Sequence, residues 1–259
     1  MRNLVFFLVI FLLVGCSYFD EKEDKTKNWN ADRLYAEAKG NLDAGNYSQA
    51  VDFYQRLEAR YPFGKHAQQA LIDLAYSYFK SEQHDASISA SNRFIKLYPQ
   101  NIHVDYAYYL KGLANFNKGK ASLHRFIPDE FADESQRDPG AAFEAFQNFS
   151  ELIKRFPESQ YVEDAEQRMR HLRNNLAENE VHVANYYMRR GAFIAAANRA
   201  RYVIENYDRT PVVPEALVVM AKAYRVLEME DLANDAIRVL KLNYPNHPGI
   251  YQIEELEVK

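Results

Sequence analysis

Ala75-Tyr76-Ser77-Tyr78, followed by Ser87, Phe94 and Tyr98-Pro99, is the stretch on which the reading of this chain turns. Its frame recurs along the sequence. Helix-sized segments end in Tyr61-Pro62, Tyr98-Pro99, Phe156-Pro157, Tyr207-Asp208 and Tyr244-Pro245. Twelve residues before the second member of each pair stand Ala50, Ser87, Ala145, Ala196 and Ala233, and five before it stand Leu57, Phe94, Leu152, Val203 and Leu240. A second small residue lies a further twelve positions upstream at Ala38, Ala75, Ala184 and Ala221, and Gly112 holds the place in the third unit. Tyr78, Tyr187 and Tyr224 follow three positions later. Small residues on two successive helices let those helices approach closely. The tyrosine fills the space beside the crossing, and proline ends the second helix because it cannot continue one.

This pattern resembles the tetratricopeptide repeat, a helix-turn-helix unit of 34 residues. The fold class it predicts is all-α: a superhelical solenoid of five helix-turn-helix units, about ten helices, over residues 30–250. Gly45, Gly140 and Gly191 match the turn inside three of the units. Successive unit ends are 37, 58, 51 and 37 residues apart. The excess in the third unit falls within Gly119 to Gly140, which carries Pro128, Pro139 and many charges and reads as a surface loop. The excess before the fourth unit lies between Glu158 and Arg190, free of Gly and Pro. Its roughly 14 residues are nearly four helical turns. An extended helix joining two halves of the solenoid is one reading, and a break near Asn174-Asn175 is the other.

The N-terminus has a different character. After Arg2, Leu4 to Val14 is an uninterrupted apolar run, too short to span a bilayer at about 20 residues but suited to a signal-peptide core. It leads through Leu13-Val14-Gly15 into Cys16, the only cysteine. This resembles a bacterial lipoprotein signal, in which the thiol is acylated and the chain is cut just before it. An ordinary secretory signal with an incidental cysteine is the alternative. Ser17 rather than Asp after the cysteine implies, by the same resemblance, the outer membrane. Residues 1–15 are thus a signal peptide. Residues 16–29, dense in charge from Asp20 to Lys27, are a lipidated flexible tether. Units one and two with the first helix of unit three (30–118), the loop (119–140), the remaining helices (141–250) and a C-terminal tail (251–259) follow.

The net charge of −4, from 32 Lys and Arg against 36 Asp and Glu, becomes more negative once Arg2 is removed. Nucleic acid is therefore not an expected partner, since a basic face supplies most of that affinity. If Cys16 is acylated, the mature chain has no thiol for disulfides or catalysis. The 19 tyrosines exceed what helical packing needs, which points to an aromatic face turned toward a partner.

In such an array the first helix of each unit lines the concave surface. Its register places Tyr35, Leu42, Ile72, Tyr76, Phe79, Tyr106, Tyr109, Leu113 and Phe116 there in the first three units. The last two units place Glu178, Val181, Asn185, Met188, Arg189, Glu215, Val218, Lys222, Arg225 and Val226. The first half is aromatic, suited to an extended apolar-aromatic peptide, and the second is charged, suited to a polar protein. The aromatic rings could instead pack on one another in a narrow groove. No His pair has metal-ligand spacing, Gly119-Lys120 lacks the Ser or Thr of a phosphate loop, and no Gly-x-Ser-x-Gly occurs. No enzyme activity, metal or cofactor is expected.

Several stretches go beyond the generic repeat. They are Arg60-Tyr61-Pro62-Phe63-Gly64, Arg93-Phe94-Ile95-Lys96-Leu97, Asp105-Tyr106 with Gly112-Leu113, Arg137-Asp138-Pro139, Pro157-Glu158-Ser159-Gln160-Tyr161, Tyr186-Tyr187, Arg190-Gly191-Ala192 and Asn198-Arg199. Together with the lipoprotein signal they resemble the BamD family of β-barrel assembly lipoproteins. The resemblance implies a non-catalytic scaffold, lipid-anchored through Cys16 on the periplasmic face of the outer membrane. It implies that the N-terminal groove (Tyr35, Ile72, Tyr76, Phe79, Tyr106, Tyr109 and Phe116) takes the C-terminal targeting signal of unfolded outer-membrane proteins. It implies that the C-terminal repeats dock on a BamA POTRA domain, with Arg189, Arg199, Lys222 and Arg225 as candidate contacts. BamC and BamE are further candidate partners. Arg199 matches a family position tied to BamA contact; pairing with Glu205 or solvent is the alternative. A lipoprotein regulating a periplasmic cell-wall enzyme through its repeats is the competing function.

Overall fold

The structure, a computed structural model, describes residues 24–124 and 139–255. The expected lipidation site Cys16, the expected signal peptide and first part of the tether, residues 125–138 of the expected loop and the last four residues lie outside them. The described residues form eleven helices. These are α1 (Ala31–Asp43), α2 (Tyr47–Arg60), α3 (Ala67–Lys80), α4 (His84–Leu97), α5 (Val104–His124), α6 (Pro139–Arg155), α7 (Val162–Arg189), α8 (Phe193–Asn206), α9 (Val213–Val226), α10 (Glu230–Asn243) and α11 (Gly249–Glu254).

The recurring residues act as the sequence requires. Ala38, Ala50, Ala75, Ser87, Ala145, Ala184, Ala196, Ala221 and Ala233 are all fully inaccessible. In the third unit a Cβ on Gly112 would sit 2.5 Å from the Phe149 ring, so only glycine lets α5 and α6 meet there. The second helix of every unit stops in the same way. The N–H groups of Tyr61, Tyr98, Phe156, Tyr207 and Tyr244 donate to the carbonyls of Leu57, Phe94, Leu152, Val203 and Leu240, each at 2.8 Å. Four of these five aromatics precede proline, which disfavours helical backbone in the residue before it. Tyr207 stops the same way before Asp208.

The turns inside units one, two, four and five are Schellman closures. Asn46, Gln83, Ala192 and Met229 donate to the carbonyls five residues back, at Asn41, Tyr78, Tyr187 and Tyr224. Each needs one residue at positive φ: Gly45 (77°) and Gly191 (73°), but Glu82 (61°) and Glu228 (55°) in the other two units. Gly140, expected in such a turn, lies instead in the first turn of α6, because that helix begins at Pro139. With the insertion before it, the chain no longer has to reverse at Gly140.

The extended-helix reading holds: α7 runs unbroken for 28 residues through Asn174-Asn175. It serves two units. Ala165 and Leu172 of its first half belong to the core of units one to three, while Ala177, Val181 and Ala184 of its second half belong to the core of unit four. A third cluster around Leu217, Leu240 and Ile253 completes unit five.

Both ends depart from expectation. The described end of the tether is not solvated: Thr26 is buried and residues 24–29 lie as a strap on α2. Asp24 accepts from the Thr26 N–H at 3.0 Å and Oγ1 at 2.7 Å, and it pairs with the guanidinium groups of Arg56 and Arg60. Trp29 stacks on Phe53 with centroids 5.8 Å apart. Asp24 finds opposite charges on a neighbouring helix, while Lys25 and Lys27 stay exposed. At the other end, the expected tail starts as α11, whose Ile250 and Ile253 are buried against α9 and α10. It occupies the place of a sixth first helix and covers the apolar end that a solenoid otherwise exposes.

Candidate functional site: the inner face of the solenoid

The first helices of successive units touch one another, α1 with α3, α3 with α5 and α7 with α9, and so form the inner layer. The aromatic residues expected on this face divide into two groups. Ile72 and Phe116 are only 3% and 8% accessible and belong to the core, as does Leu42. They are corrected from groove to packing: adjoining inner helices close over these positions. Tyr35, Tyr76, Phe79, Tyr106 and Tyr109 are half-buried.

Their surroundings are specific. Tyr35 stacks on His66, centroids 4.2 Å apart and planes within 3°. Beside it, Asp73 is almost fully buried and accepts from the Tyr54 hydroxyl at 3.0 Å and from Gln69 Nε2 at 2.8 Å. Burial raises the Asp73 carboxyl above its ordinary range, partly offset by the hydrogen bonds from Gln69 and Tyr54. Tyr76 meets Tyr47 edge-on at 6.3 Å, and Phe79 lies 6.0 Å from the ring of His84. Tyr106 and Tyr109 pack on Tyr161, at 5.3 and 4.6 Å. The Tyr109 hydroxyl donates to Asp164 at 2.6 Å, and Asp164 also accepts from Arg168 at 2.5 Å. Burial first, and then the Asp164 carboxylate, push the Tyr109 hydroxyl up to about 12. Burial likewise raises Tyr106. Part of the aromatic face therefore packs on itself, while each of these side chains keeps part of its surface accessible. The sequence pattern does not point to Tyr161, Asp164 and Arg168, because only the packing of the first half of α7 against unit three puts them beside Tyr109.

The charged half is not one cluster. Arg189 is exposed at a cavity of about 540 Å³ lined also by Glu178, His182, Asn185, Tyr186 and Glu215. Lys222 donates to Gln252 at 2.7 Å and Arg225 to the Ile253 carbonyl at 2.5 Å, so α11 engages both. Arg199 stands on α8, a second helix, away from the inner layer. It pairs with Glu180 at 2.9 Å rather than with Glu205, which lies 4.0 Å from Arg201. A shallow cavity beside Arg199 is lined by Tyr187, Asn198 and Tyr202.

Among the described residues no group of three or more His, Cys, Asp and Glu is placed to hold a metal ion, and no helix is long and apolar enough to cross a membrane.

Comparison with known proteins points to one family. Residues 27–240 match the family described as YfiO, outer membrane lipoprotein. A relative from Neisseria meningitidis serogroup B is 44% identical over 233 residues, covering 90% of this chain and 86% of that protein. Relatives from Xylella fastidiosa (35%, covering 94% and 82%) and Vibrio cholerae (32%, covering 91% and 95%) match along nearly their whole lengths. All three are named outer membrane protein assembly factor BamD. Among solved structures, the chain is similar to the TPR2AB domain of yeast Sti1 in its pHSP90 complex, at 14% identity and a TM-score of 0.40, covering 86% of this chain and 81% of that one. Motif, repeat and relatives converge: this chain belongs to the BamD family.

Proposed function

We propose that the chain is a non-catalytic scaffold of outer-membrane β-barrel assembly, held on the periplasmic face of the outer membrane by a lipid on Cys16. Its N-terminal inner face receives the C-terminal targeting signals of unfolded outer-membrane proteins, and its C-terminal half docks on a POTRA domain of BamA. The observation that carries this reading is the run of half-buried aromatics, Tyr35, Tyr76, Tyr106 and Tyr109, on the inner helices of a chain 44% identical to a protein named for outer-membrane protein assembly. Half-buried rings offer their accessible surface to an extended peptide while their packing holds them in place, so little ordering entropy is lost on binding.

The test is binding of a fluorescent peptide ending in a barrel C-terminal signal. Replacing Tyr76 and Tyr109 together with Ala removes two anchors, each worth about 1–2 kcal/mol if they contact the peptide. At about 1.4 kcal/mol per decade, affinity falls at least tenfold. The helical circular dichroism signal should be retained. Unchanged affinity rejects the groove assignment. For docking, Arg189 is the stronger candidate, since Lys222 and Arg225 are engaged by α11 and Arg199 pairs with Glu180, a pair a partner would have to compete with. Arg199→Glu places a like charge beside Glu180 and should reduce BamA recovery in a pull-down more than it reduces peptide binding. Full recovery of BamA counts against the docking assignment.

A further inference from the structure

Phe63 is the most exposed large apolar side chain among the described residues, 97% accessible. It stands at the tip of the turn between α2 and α3, and that turn is tied to the strap. The Gly64 N–H donates to the Tyr61 carbonyl at 3.2 Å, and the Tyr61 hydroxyl donates to the Trp29 carbonyl at 3.1 Å. Lys65 pairs with Asp32 at 2.7 Å. The strap is in turn fixed to α2 through Asp24, Arg56 and Arg60. Phe63 is thus presented outward on a braced support. Lys25 and Lys27 on the strap, Lys65 on the turn and Arg33 at the start of α1 are exposed.

The chain that leads to this end is short. Only seven residues, Ser17 to Glu23, separate Cys16 from the fixed Asp24. Fully extended, that stretch reaches about 25–30 Å. A loose tether over residues 16–29 would allow nearly twice as much.

We propose that the first-unit end of the solenoid rests on the phospholipid surface to which Cys16 is attached, with Phe63 inserted at the boundary of headgroups and acyl chains and the neighbouring lysines at the level of the phosphates. This rests on the reading of Cys16 as the lipidation site. An aromatic ring in the interface with cationic side chains around it is the arrangement a bilayer surface favours. One exposed phenylalanine binds a membrane weakly in solution, but a short tether makes its encounter with the surface intramolecular and raises its occupancy. Asp20, Glu21 and Glu23 precede the strap and disfavour a strongly anionic surface, so the fitting partner is a largely zwitterionic bilayer. Lipid attachment alone holds the protein near the membrane. The second contact gives the solenoid one orientation, with the first unit down.

The chain has one tryptophan, which makes the test direct. Full-length acylated protein carrying Trp29→Phe and Phe63→Trp is placed on vesicles of phosphatidylethanolamine and phosphatidylglycerol containing brominated phosphatidylcholine. Phenylalanine at position 29 keeps the stack on Phe53. A control carries Trp29→Phe with Leu242→Trp, a residue 76% exposed near the other end. The expected result is a blue-shifted emission at position 63 that the brominated lipid quenches about twofold or more beyond the control. Equal quenching at the two positions overturns the proposal. So does a blue shift without quenching, which indicates a contact with protein, including a second copy of this chain. Flotation and intact mass report acylation separately. If the chain is not acylated, coupling the Cys16 thiol to a maleimide phospholipid restores attachment, so failure of the lipidation reading and failure of the orientation reading are told apart.

Discussion

The small-residue crossings can be probed by one substitution made at two glycines with opposite expected signs. Gly40 lies in α1, is exposed, and a Cβ added there meets nothing within 4 Å. Gly40→Ala should stabilise by about 0.8–1 kcal/mol, the difference in helix propensity. Gly112 lies in α5, where an added Cβ would stand 2.5 and 2.6 Å from two carbons of the fully buried Phe149. Carbon pairs settle at about 3.5–4.0 Å, so the ring has to retreat by about 1 Å inside a close-packed crossing. Overpacking of this kind costs about 1–3 kcal/mol. Set against the same propensity gain, Gly112→Ala should be net destabilising by about 1 kcal/mol, a loss of about 2–4 °C in melting temperature for a domain of this size. Adding Phe149→Leu to Gly112→Ala should return part of the loss, because the smaller side chain vacates the space that the Cβ takes. The assay is thermal and urea unfolding followed by circular dichroism, with hydrogen exchange in α5 and α6 as a local readout, since a solenoid need not unfold in one step. If both Gly→Ala variants are stabilised alike, or if the Gly112→Ala and Phe149→Leu effects simply add, the close-approach argument is wrong.

Three further outcomes follow from other parts of the molecule. Glu82 and Glu228 hold the positive-φ places that Gly45 and Gly191 fill in the sister units, so Glu82→Gly and Glu228→Gly should each raise stability by about 0.5–1 kcal/mol, measured by urea midpoint; a loss in both would show that the glutamate side chains are needed at these turns. Asp24→Ala should free the strap from Arg56 and Arg60, seen as a red shift of Trp29 emission and faster tryptic cleavage at Lys25 and Lys27; unchanged cleavage would mean that Trp29 and Thr26 hold the strap unaided. Burial lets the folded Asp73 carboxyl keep its proton above its ordinary value of 3.8, so it favours the folded state most at low pH, and that contribution is lost as pH rises from 3.8 through the raised folded value. The melting temperature of Asp73→Asn should therefore gain on that of the parent chain as pH rises from 3.8 toward neutrality, and a gap that is constant or narrows refutes the assignment.

The fold was legible because each recurring residue has a single physical duty. Small residues at helix crossings, an aromatic before proline at helix ends and an apolar residue four back from that aromatic survive any choice of surrounding sequence. The frame therefore placed five units; it left a continuous α7 and a break near Asn174-Asn175 both open, and the helix runs unbroken. The frame misplaced Gly140, because a glycine at the right distance from Pro157 marks a turn only when the chain must reverse there. The candidate site was legible in class but not in detail. The register of α3 and α5 identifies the inner side of each helix, yet it does not separate Ile72 and Phe116, over which neighbouring inner helices close, from Tyr76 and Tyr109, which stay partly accessible. The partners of the arginines were illegible for a related reason. Glu180 reaches Arg199, and Gln252 reaches Lys222, from other helices at distances along the chain that no local pattern records.

The 28-residue α7 decides how the two halves of the inner face stand relative to each other. At about 100° per residue, the roughly 14 residues added before unit four return the helix to within about 40° of its starting phase. The residues that pack nonetheless lie on different sides of α7: Ala165 and Leu172 share the side that enters unit three, and Ala177, Val181 and Ala184 lie on a side turned by about 130° from it. A flexible linker of equal length would leave the aromatic and charged faces free to turn independently. A continuous helix about 42 Å long couples them, because turning one half against the other requires breaking helical hydrogen bonds or unpacking one of the two cores. The tyrosine cluster ends on that same helix: Tyr109 is held by Asp164 in its first turn, and Arg189 closes its last. A peptide that displaces Tyr109 from Asp164 and a partner that engages Arg189 would thus act on opposite ends of one rigid element, which is the arrangement a scaffold needs if substrate capture is to be felt at a docking surface several turns away.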